Sequence, residues 1–528
     1  MQNITQENKK VVKNAGIVGS FTLLSRILGF ARDVVIASFF GAGFYTDAFF
    51  VAFRVPNLFR RLFAEGTLSL AFIPVFTDYF QKEGKKSAFQ LAGAGVKLLS
   101  VILVLIVITG IFFSPYLVDI SAPGFAKSPE KYALTVLLTR IMFPYLFFIC
   151  LVALCMGILN ALGHFAAPAL APVFLNISMI GSIFFIAPCM TSPIVGLGIG
   201  VVIGGILQLV LQVPFLIKKQ FYFWKKTTIF HPGVKRVGKL MLPAVIGSAV
   251  YQLNIVVGTF FASILSEGSV SYLYYADRLV QFPLALFAIS ISTAVLPALS
   301  KQVTAKKYSD FRETFTYSMR LIFFITLPAI AGLIILREPI IAVLFQRGAF
   351  TAEMTKQTAS ALFCYAVGLW AFSAVRIIVS SFYAMSDAKT PVKMAVISIG
   401  FNIIICIILL KPLGHAGIAL ATSLSSIFNF FLLTVALHRK IKLIEWRNIV
   451  ETVWRCVLLS LFMGICVKYA LTMLSGQFES SLLMMAVKLV AIIIFGISIY
   501  ITCAYLANSQ ELKMLLPMVE IGKGREKN

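Results

Sequence analysis

Charge is scarce in this sequence, and negative charge is the scarcest. Only 13% of its 528 residues are charged, and 21 acidic residues stand against 46 lysines and arginines. The composition is 59% hydrophobic, which excludes an ordinary soluble domain. Apolar runs of about 20 residues, long enough to cross a bilayer's hydrocarbon core, recur along the chain. The composition therefore indicates an all-α polytopic membrane protein with almost no soluble domain.

Groups that bind metals or form catalytic sites are also few. The eight cysteines form no CxxC motif, and we interpret them as small packing residues in apolar spans. The four histidines do not cluster. No catalytic triad spacing and no acid–base pair of carboxylates stands out beyond the apolar runs. The sequence therefore predicts no metal site, no cofactor and no enzymatic chemistry.

Fourteen transmembrane helices are predicted from the apolar runs. The first run shows no cleavage pattern of a signal peptide, so we expect it to be retained. The predicted spans are residues 14–40, 45–79, 90–116, 131–160, 166–188, 194–217, 236–265, 270–299, 313–336, 354–384, 392–410, 415–437, 448–474 and 480–507.

Positive charge is distributed unevenly between the two sides of these spans. One side, which includes both termini, carries 27 lysines and arginines, and the other carries 5. Because cytoplasmic loops are enriched in such residues, both termini are predicted to be cytoplasmic. The basic balance then reflects topology, with anionic lipid headgroups as partners and no nucleic acid.

Two pairs of segments indicate an internal duplication. AFIP at 71–74 resembles AVLP at 294–297, and NALGHFAAP at 160–168 resembles YAMSDAKTP at 383–391. Both pairs are separated by 223 residues. Chance similarity among apolar strings is the alternative.

The duplication predicts three regions. Two pseudo-symmetric six-helix halves comprise residues 1–225 and 226–440, and residues 441–528 add two transmembrane helices and a tail. An even number of helices per repeat preserves orientation, so we expect an axis along the membrane normal and a transport site between the halves.

Charged residues inside the predicted spans are the candidate site, because each costs about 3 kcal/mol or more at membrane depth. Asp47, Arg54 and Arg61 are spaced by seven and share a helix face, and Glu65 lies one turn beyond Arg61. Cations outnumber carboxylates, so an anion is expected, and the guanidinium fork suits a diphosphate. The full set is Arg26, Arg32, Asp33, Asp47, Arg54, Arg60, Arg61, Glu65, Asp277 and Arg278.

Glycine and proline in the same spans are candidate hinges. Six residues rotate Arg26 and Arg32 about 120° apart on a straight helix, and a bend at Gly29 would bring both toward one cavity. Broken helices suit a moving, water-lined site better than a rigid core. Further breaks are predicted at Pro56, Pro74, Pro283 and Pro297.

Structural roles remain open for several of these residues. Arg60 and Arg61 would also fit snorkelling or a position at the cytoplasmic helix end. Asp33 directly follows Arg32, and Asp277 directly precedes Arg278. Each aspartate would neutralise its neighbouring arginine locally. Structural pairing of Arg26, Arg32 and Arg278 is a further alternative. The remaining arginines in spans are interpreted as snorkelling or as partners of polar neighbours: Arg140, Arg320, Arg376 and Arg455.

Several long motifs resemble one family. The segments SRILGFARD (25–33), TDAFFVAFRVPNLFRRLFAEG (46–66) and YYADRLVQFP (274–283) closely resemble the MurJ/MviN family. These proteins are lipid II flippases of the MOP exporter superfamily. Shorter matches are APGF, LNISMIG and AKTPVK, and the similarity extends over about residues 14–440.

The resemblance implies a transport function in peptidoglycan synthesis. The substrate would be lipid II, an undecaprenyl-diphosphate-linked disaccharide-pentapeptide, moved from the cytoplasmic to the periplasmic leaflet of the bacterial inner membrane by alternating access. The family's cavity arginines correspond to Arg26, Arg32, Arg60 and Arg278. Asp47 matches a further charged family position, and Arg54 stands where a cation is usual. The last two helices would form a groove for the lipid tail.

Partners and rival functions follow from the same resemblance. Lipid II, membrane lipids and proteins of cell-wall synthesis are the expected partners. The alternatives are a MOP-superfamily exporter of oligosaccharide-lipids or drugs, a membrane enzyme acting on polyprenyl diphosphates, and a scaffold for the cell-wall machinery. A drug exporter for cations would need net acid in its cavity, whereas the balance here is basic.

One position departs from some family members. Where they carry an acid one turn after the ADR motif, this chain has Gln281. The predicted seventh, eleventh and twelfth spans contain no carboxylate, and sodium sites need carboxylate oxygens. The sequence thus argues against sodium coupling and favours the membrane potential or a proton as the driving force.

Overall fold

The computed structural model describes residues 2–62, 68–223, 227–441, 446–475 and 481–513. Within these ranges the chain is helical and contains no β-strand. The predicted all-α fold is therefore confirmed for the described part of the chain.

Eighteen α-helices follow one another along the described residues. The first nine are α1 (Gln2–Phe40), α2 (Phe44–Phe59), α3 (Ser69–Lys82), α4 (Gly84–Phe112), α5 (Ser114–Ser121), α6 (Pro129–Met142), α7 (Tyr145–Ala161), α8 (Ala166–Phe185) and α9 (Pro193–Lys218). The others are α10 (Pro232–Ile264), α11 (Ser269–Pro283), α12 (Ser290–Thr304), α13 (Tyr308–Ile335), α14 (Arg337–Phe345), α15 (Ala352–Ala384), α16 (Lys389–Lys440), α17 (Trp446–Ser475) and α18 (Leu482–Leu506).

Many of these helices are long and apolar enough to cross a membrane. Ten candidate spans meet that criterion within the described residues, which identifies a multi-pass membrane protein. The predicted count of fourteen stays a prediction. One reason for the difference is that Lys389–Lys440 counts as one span, although it consists of two helices joined at a kink at Gly414, where the two spans 392–410 and 415–437 are predicted.

Three predicted spans are interrupted, mostly near proline, because proline lacks the N–H that continues the helical ladder. Span 131–160 divides at residues 143–144 into α6 and α7. Span 270–299 changes at Pro283 to a π-helix, Leu284–Ile289, before α12. Span 45–79 divides into α2 and α3, whereas Pro74 and Pro297 lie inside helices that continue past them. Breaks at those two prolines were wrong predictions.

The long helix α16 has one non-helical residue, Gly414, at φ 55° and ψ −132°. Glycine adopts this left-handed region at little cost since it has no Cβ. Gly414 falls in the gap between the two spans predicted there, so the sequence correctly located a local change of direction.

The chain forms two compact units. One comprises Met1–Ser271 with Gly348–Phe350, and the other comprises Tyr272–Arg347 with Thr351–Asn528. The boundary predicted at residue 225 comes from sequence similarity between the two halves, whereas these units are defined by contacts in the structure. That boundary stays a prediction.

In the second unit, α17 and α18 pack against α13 and α14 through one apolar core. Its buried members include Phe324, Val343, Met463 and Ile492. The Tyr500 hydroxyl on α18 donates to the Phe324 carbonyl on α13 at 2.8 Å. The last two helices are thus fixed to the body of this unit.

Seven of the eight cysteines lie in the α-helices. Cys189 instead ends the short 3-10 helix Ala187–Cys189 and is exposed, so the packing interpretation is wrong for it. Its segment connects α8 to α9, and connecting segments run over the protein surface.

Candidate functional site

The predicted charged cluster begins on α1 with a buried ion pair. Arg32 is 8% exposed and Asp33 is fully buried. Arg32 donates from Nε and Nη2 to Asp33 Oδ1 at 3.0 and 2.7 Å. Asp33 thus neutralises Arg32 locally, as one of the two sequence interpretations of Asp33 proposes.

A third residue, Asn176 on α8, orients this pair. Its Oδ1 accepts from Arg32 Nη1 at 3.1 Å, and its Nδ2 donates to the Ser25 carbonyl at 3.1 Å. Asn176 is 5% exposed, so both bonds form in a site that excludes most water. The sequence contained this residue in the LNISMIG motif, but the motif alone gave no sign of its contact with Arg32.

Arg26 and Gly29 lie in the same helix as this pair. Arg26 is exposed, whereas Arg32 is buried. Helix α1 is continuous from Gln2 to Phe40, so the hinge predicted at Gly29 is not a break in the helical ladder here. An unbroken helix rotates residues six apart onto different faces, which agrees with the different exposures of the two arginines.

One arginine, Arg54, lies in the second half of α2, and two more, Arg60 and Arg61, directly follow the helix. Arg54, Arg60 and Arg61 are all half-buried, and Arg60 Nε donates to Asn57 Oδ1 at 2.8 Å. Pro56 lies inside α2, and residues 60–62 follow in a π-helical turn. Glu65, with its predicted pairing to Arg61, lies outside the described residues.

The two π-helical turns occupy equivalent places in the predicted repeat. An offset of 223 carries residue 61 to residue 284, where the π-helix Leu284–Ile289 begins after Pro283. π-Turns loosen the regular ladder and occur often at functional sites. The hinges at Pro56 and Pro283 stay predictions.

In the second unit, α11 carries the ADR motif. Asp277 is exposed and Arg278 is half-buried. Gln281, which replaces an acid of some family members, donates from Nε2 to Asp277 Oδ1 at 3.5 Å. The amide therefore supports Asp277 at a place where an acid would repel it.

Asp47 is held by one ion pair and three further hydrogen bonds. It lies in the first turn of α2, is 1% exposed, and its Oδ2 accepts from Lys131 Nζ at 2.8 Å. Oδ2 also accepts from the Gly268 amide at 2.8 Å. Oδ1 accepts from the Ser271 amide at 2.9 Å and the Ser271 hydroxyl at 2.7 Å. Asp47 therefore joins α2 to α6 and to the start of α11.

Neighbouring contacts strengthen this junction. The Phe44 amide donates to Glu267 Oε1 at 2.6 Å, and the hydroxyl oxygens of Ser271 and Thr46 lie 2.9 Å apart. A Cβ on Gly124 would lie 2.1 Å from the Ser263 carbonyl oxygen, so only glycine allows this approach. We call the residues 44–47, 124, 131 and 263–271 the Asp47 junction.

Sequence reasoning missed the junction, and Lys131 in particular. Lys131 is one of the five lysines and arginines predicted for the side of the membrane opposite the termini. It is buried instead, and its ammonium lies 4.4 Å from the centre of the Phe125 ring. A usable signal was present in the repeat. Phe44 and Glu267 are 223 residues apart, which is the offset of the predicted repeat, and Asp47 and Ser271 are 224 apart.

Clusters of side chains that commonly bind metals are absent from the described part of the chain. Among the described residues, no group of three or more His, Cys, Asp or Glu side chains is placed to hold a metal ion.

Comparison with known proteins decides the family. A sequence model described as "Lipid II flippase MurJ" matches residues 36–501. The "Probable lipid II flippase MurJ" of Vibrio cholerae is 40% identical over 438 residues, which is 82% of this chain and 83% of that protein. This chain belongs to the MurJ family.

Other MurJ proteins extend the match to nearly the whole chain. The probable lipid II flippase MurJ of Bdellovibrio bacteriovorus is 37% identical over 97% of this chain and 98% of its own length. The lipid II flippase MurJ of Burkholderia cenocepacia is 37% identical over 80% of this chain and 83% of its own. The resemblance stated from the motifs is thus confirmed.

Solved structures agree at the level of the fold. A lipid II flippase MurJ in an inward closed conformation superposes with a TM-score of 0.77 at 30% identity, covering 93% of this chain and 98% of that one. An inward-facing MATE-family multidrug transporter of the MOP superfamily gives a TM-score of 0.67 at 16% identity, covering 81% and 98%. The MATE likeness extends to the fold alone.

Proposed function

We propose that this chain transports lipid II from the cytoplasmic to the periplasmic leaflet of a bacterial inner membrane. Membership of the MurJ family supports this substrate, and the ten apolar spans support a membrane transporter over a soluble enzyme. The excess of lysine and arginine on one side of the spans supports cytoplasmic termini. No chemical conversion of the lipid is proposed.

The observation that carries the proposal is a pair of arginines of opposite exposure on α1. Arg26 is exposed, while Arg32 is buried and held by Asp33 and Asn176. A diphosphate has several acceptor oxygens and would meet Arg26 first. It would then compete with Asp33 for the Arg32 guanidinium, because charge-assisted bonds to phosphate match those to carboxylate in geometry.

Further cations would complete the binding of the diphosphate. Arg60 is half-buried at the end of α2, and its Nε bond to Asn57 fixes one edge of the guanidinium. Arg278 on α11 is proposed as an additional ligand from its match to the ADR motif. Asp277, Asp33, Arg54 and Arg61 would adjust the local charge. The π-turns beside Pro56 and Pro283 would absorb the change of backbone between conformations.

Release would require the Asp47 junction to open. In the proposed topology, residues 41–44, 113–129 and 265–268 are periplasmic, and the junction bonds these segments together. Its buried ion pair and hydrogen bonds would keep the transporter closed on the periplasmic side. The bound diphosphate would then stabilise the state that is open to that side. The exposed apolar faces of α17 and α18, including Ile465, Ile494 and Phe495, would accompany the lipid tail.

Complementation in cells depleted of their own lipid II flippase tests this proposal. Wild type should restore growth, and Arg26→Ala, Arg32→Ala, Arg60→Ala and Arg278→Ala should fail at matched membrane expression. Arg439→Ala, which removes an exposed arginine at the end of α16, is the control and should grow like wild type. Growth of all four variants would refute the arginine site, and failure of a well-inserted wild type in a compatible host would refute the substrate.

A further inference from the structure

A polar cavity lies in the second unit, away from the charged residues of α1 and α2. It measures about 260 Å³, several times the ~30 Å³ share of one water in the liquid. Helices α13 and α17 and the segment after α18 form its walls. The lining residues are Arg320, Asn448, Glu451, Thr452, Arg455 and Gln510.

One wall of the cavity is fixed by a buried carboxylate. Arg320 Nη2 lies 2.6 Å from Glu511 Oε1, and Arg320 Nε donates to Thr452 Oγ1 at 2.9 Å. Glu511 is 6% exposed and also accepts from the Ser509 hydroxyl at 2.8 Å. These bonds hold the segment after α18 against α13 and α17, so the cavity is a built feature and not a gap between mobile side chains.

A second cation, Arg455 on α17, also lines the cavity. Arg455 is exposed and has no hydrogen-bond or ion-pair partner among the residues that the structure describes. Glu451, the carboxylate in the lining, accepts from Arg447 Nε at 3.1 Å. Gln510 gives its carbonyl oxygen to Arg320 Nη2 at 3.0 Å, which leaves its NH2 group for a ligand. The cavity therefore offers a positive charge and amide donors together.

The surrounding sequence places the cavity at a membrane boundary. Residues 321–325 on α13 and 456–459 on α17 begin apolar runs directly after the two arginines, and polar residues precede both. Beside Arg455, Trp454 is 65% exposed. Exposed tryptophan and arginine at the end of an apolar run are typical of the headgroup level, and basic pockets between helices there bind anionic headgroups.

We propose that this cavity binds the phosphate of an anionic phospholipid headgroup, with Arg455 as the principal cation and the Gln510 NH2 group as an amide donor. Arg320 contributes a guanidinium already aligned by Glu511. A bound headgroup bridges α17 to the segment after α18 and tightens the attachment of the last two helices. This site is separate from the proposed transport site and does not depend on which substrate is carried.

Lipid binding to the purified full-length chain tests the proposal. Native mass spectrometry would follow titrations with phosphatidylglycerol, phosphatidylcholine and inorganic phosphate. Phosphatidylglycerol should bind more tightly than phosphatidylcholine, and Arg455→Gln should weaken that binding roughly three- to tenfold, as expected for one charge-assisted contact. Glu451→Gln removes the lining carboxylate and should strengthen it, while Arg439→Gln is the matched control and should change nothing.

The outcomes separate the possible sources of the phosphate. Arg455-dependent binding of phosphatidylglycerol with no response to inorganic phosphate supports the lipid site. If inorganic phosphate binds as tightly as phosphatidylglycerol and its binding also depends on Arg455, the lipid assignment is wrong and the cavity is a site for free anions. If Arg455→Gln and Arg439→Gln behave alike for all three probes, the cavity is not an anion site. Because the exposed Arg455 side chain makes no hydrogen bond or ion pair with the described residues, loss of folding does not confound its variant.

Discussion

The Lys131 ammonium lies 2.8 Å from Asp47 Oδ2, and both residues are almost completely buried. Two buried opposite charges depend on each other, because removal of one leaves the other without its counter-charge in a medium of low dielectric constant. Here the amides of Gly268 and Ser271 also depend on the same carboxylate. The pair thus determines whether three separate segments of the chain stay joined.

Lys131→Met should destabilise the protein much more than the same change at Lys127. Lys127 lies four residues earlier at the end of the 3-10 helix Pro123–Lys127 and is exposed, so it is a matched control for the loss of one positive charge. Loss of the buried partner should cost about 3 kcal/mol, and loss of the exposed one close to nothing. Thermal unfolding of the detergent-purified variants measures the difference. Equal melting temperatures would show that the Asp47–Lys131 pair carries no stability.

Asn176→Leu should reduce both stability and growth in complementation. The change leaves the Ser25 carbonyl and the Arg32 Nη1 group without the amide that bonds them, which should cost about 1–3 kcal/mol. Ile177→Leu on the exposed side of the same helix is the control. A variant of normal stability that fails to grow would assign Asn176 to the orientation of Arg32. Normal growth and stability would contradict both roles.

Much of this fold is predictable from sequence because a transmembrane helix is a local property of about 20 apolar residues. The gap around Gly414 and the change near Pro283 could be placed for the same reason, since glycine and proline act on their own helix. The Asp47 junction was not predictable in this way. Lys131 and Ser271 lie 84 and 224 residues from Asp47, and Lys131 looks like a loop charge until tertiary packing buries it.

The candidate arginines show a similar division. Local spacing identified Arg26 and Arg32 and left the role of Asp33 open between two interpretations. The contact of Arg32 with Asn176 spans 144 residues and depends on how α1 packs on α8, which no local pattern encodes. Short helices such as α5 and α14 were also missed, since eight or nine residues give too little periodicity to recognise.

Acid should weaken, in a defined range of pH, the contacts that Asp387 in the segment between α15 and α16 makes with Thr390 and Lys440 of α16. Burial alone would raise the pKa of Asp387, but hydrogen bonds from Lys440 and Thr390 outweigh it and lower the pKa from 3.8 to about 2. A carboxylate with a lowered pKa stabilises the fold fully above its unfolded value. That contribution is therefore intact above pH 3.8 and disappears as the pH falls toward 2.

Asp387→Asn isolates this effect. At about pH 7 the variant should melt at a lower temperature than wild type. The gap should shrink at about pH 3, because the carboxyl of the unfolded chain gains its proton below 3.8 while the folded one stays largely ionised until about 2. Asp310→Asn, an exposed carboxylate at the start of α13, should show no such gap. A gap that stays constant between the two pH values would exclude the ion pair with Lys440 as its source.

Pro283→Ala should slow transport while stabilising the helix around it. Alanine restores the backbone N–H at residue 283, so the α-helical ladder can continue through a region where π-helical bonds now begin after Pro283. A hinge that becomes regular helix bends less readily. Pro297→Ala is the control, because α12 already continues past that proline. Transport of a labelled lipid in proteoliposomes, with hydrogen exchange over residues 279–289, measures both effects. Slower exchange with an unchanged transport rate would show that this turn is not a hinge of the cycle.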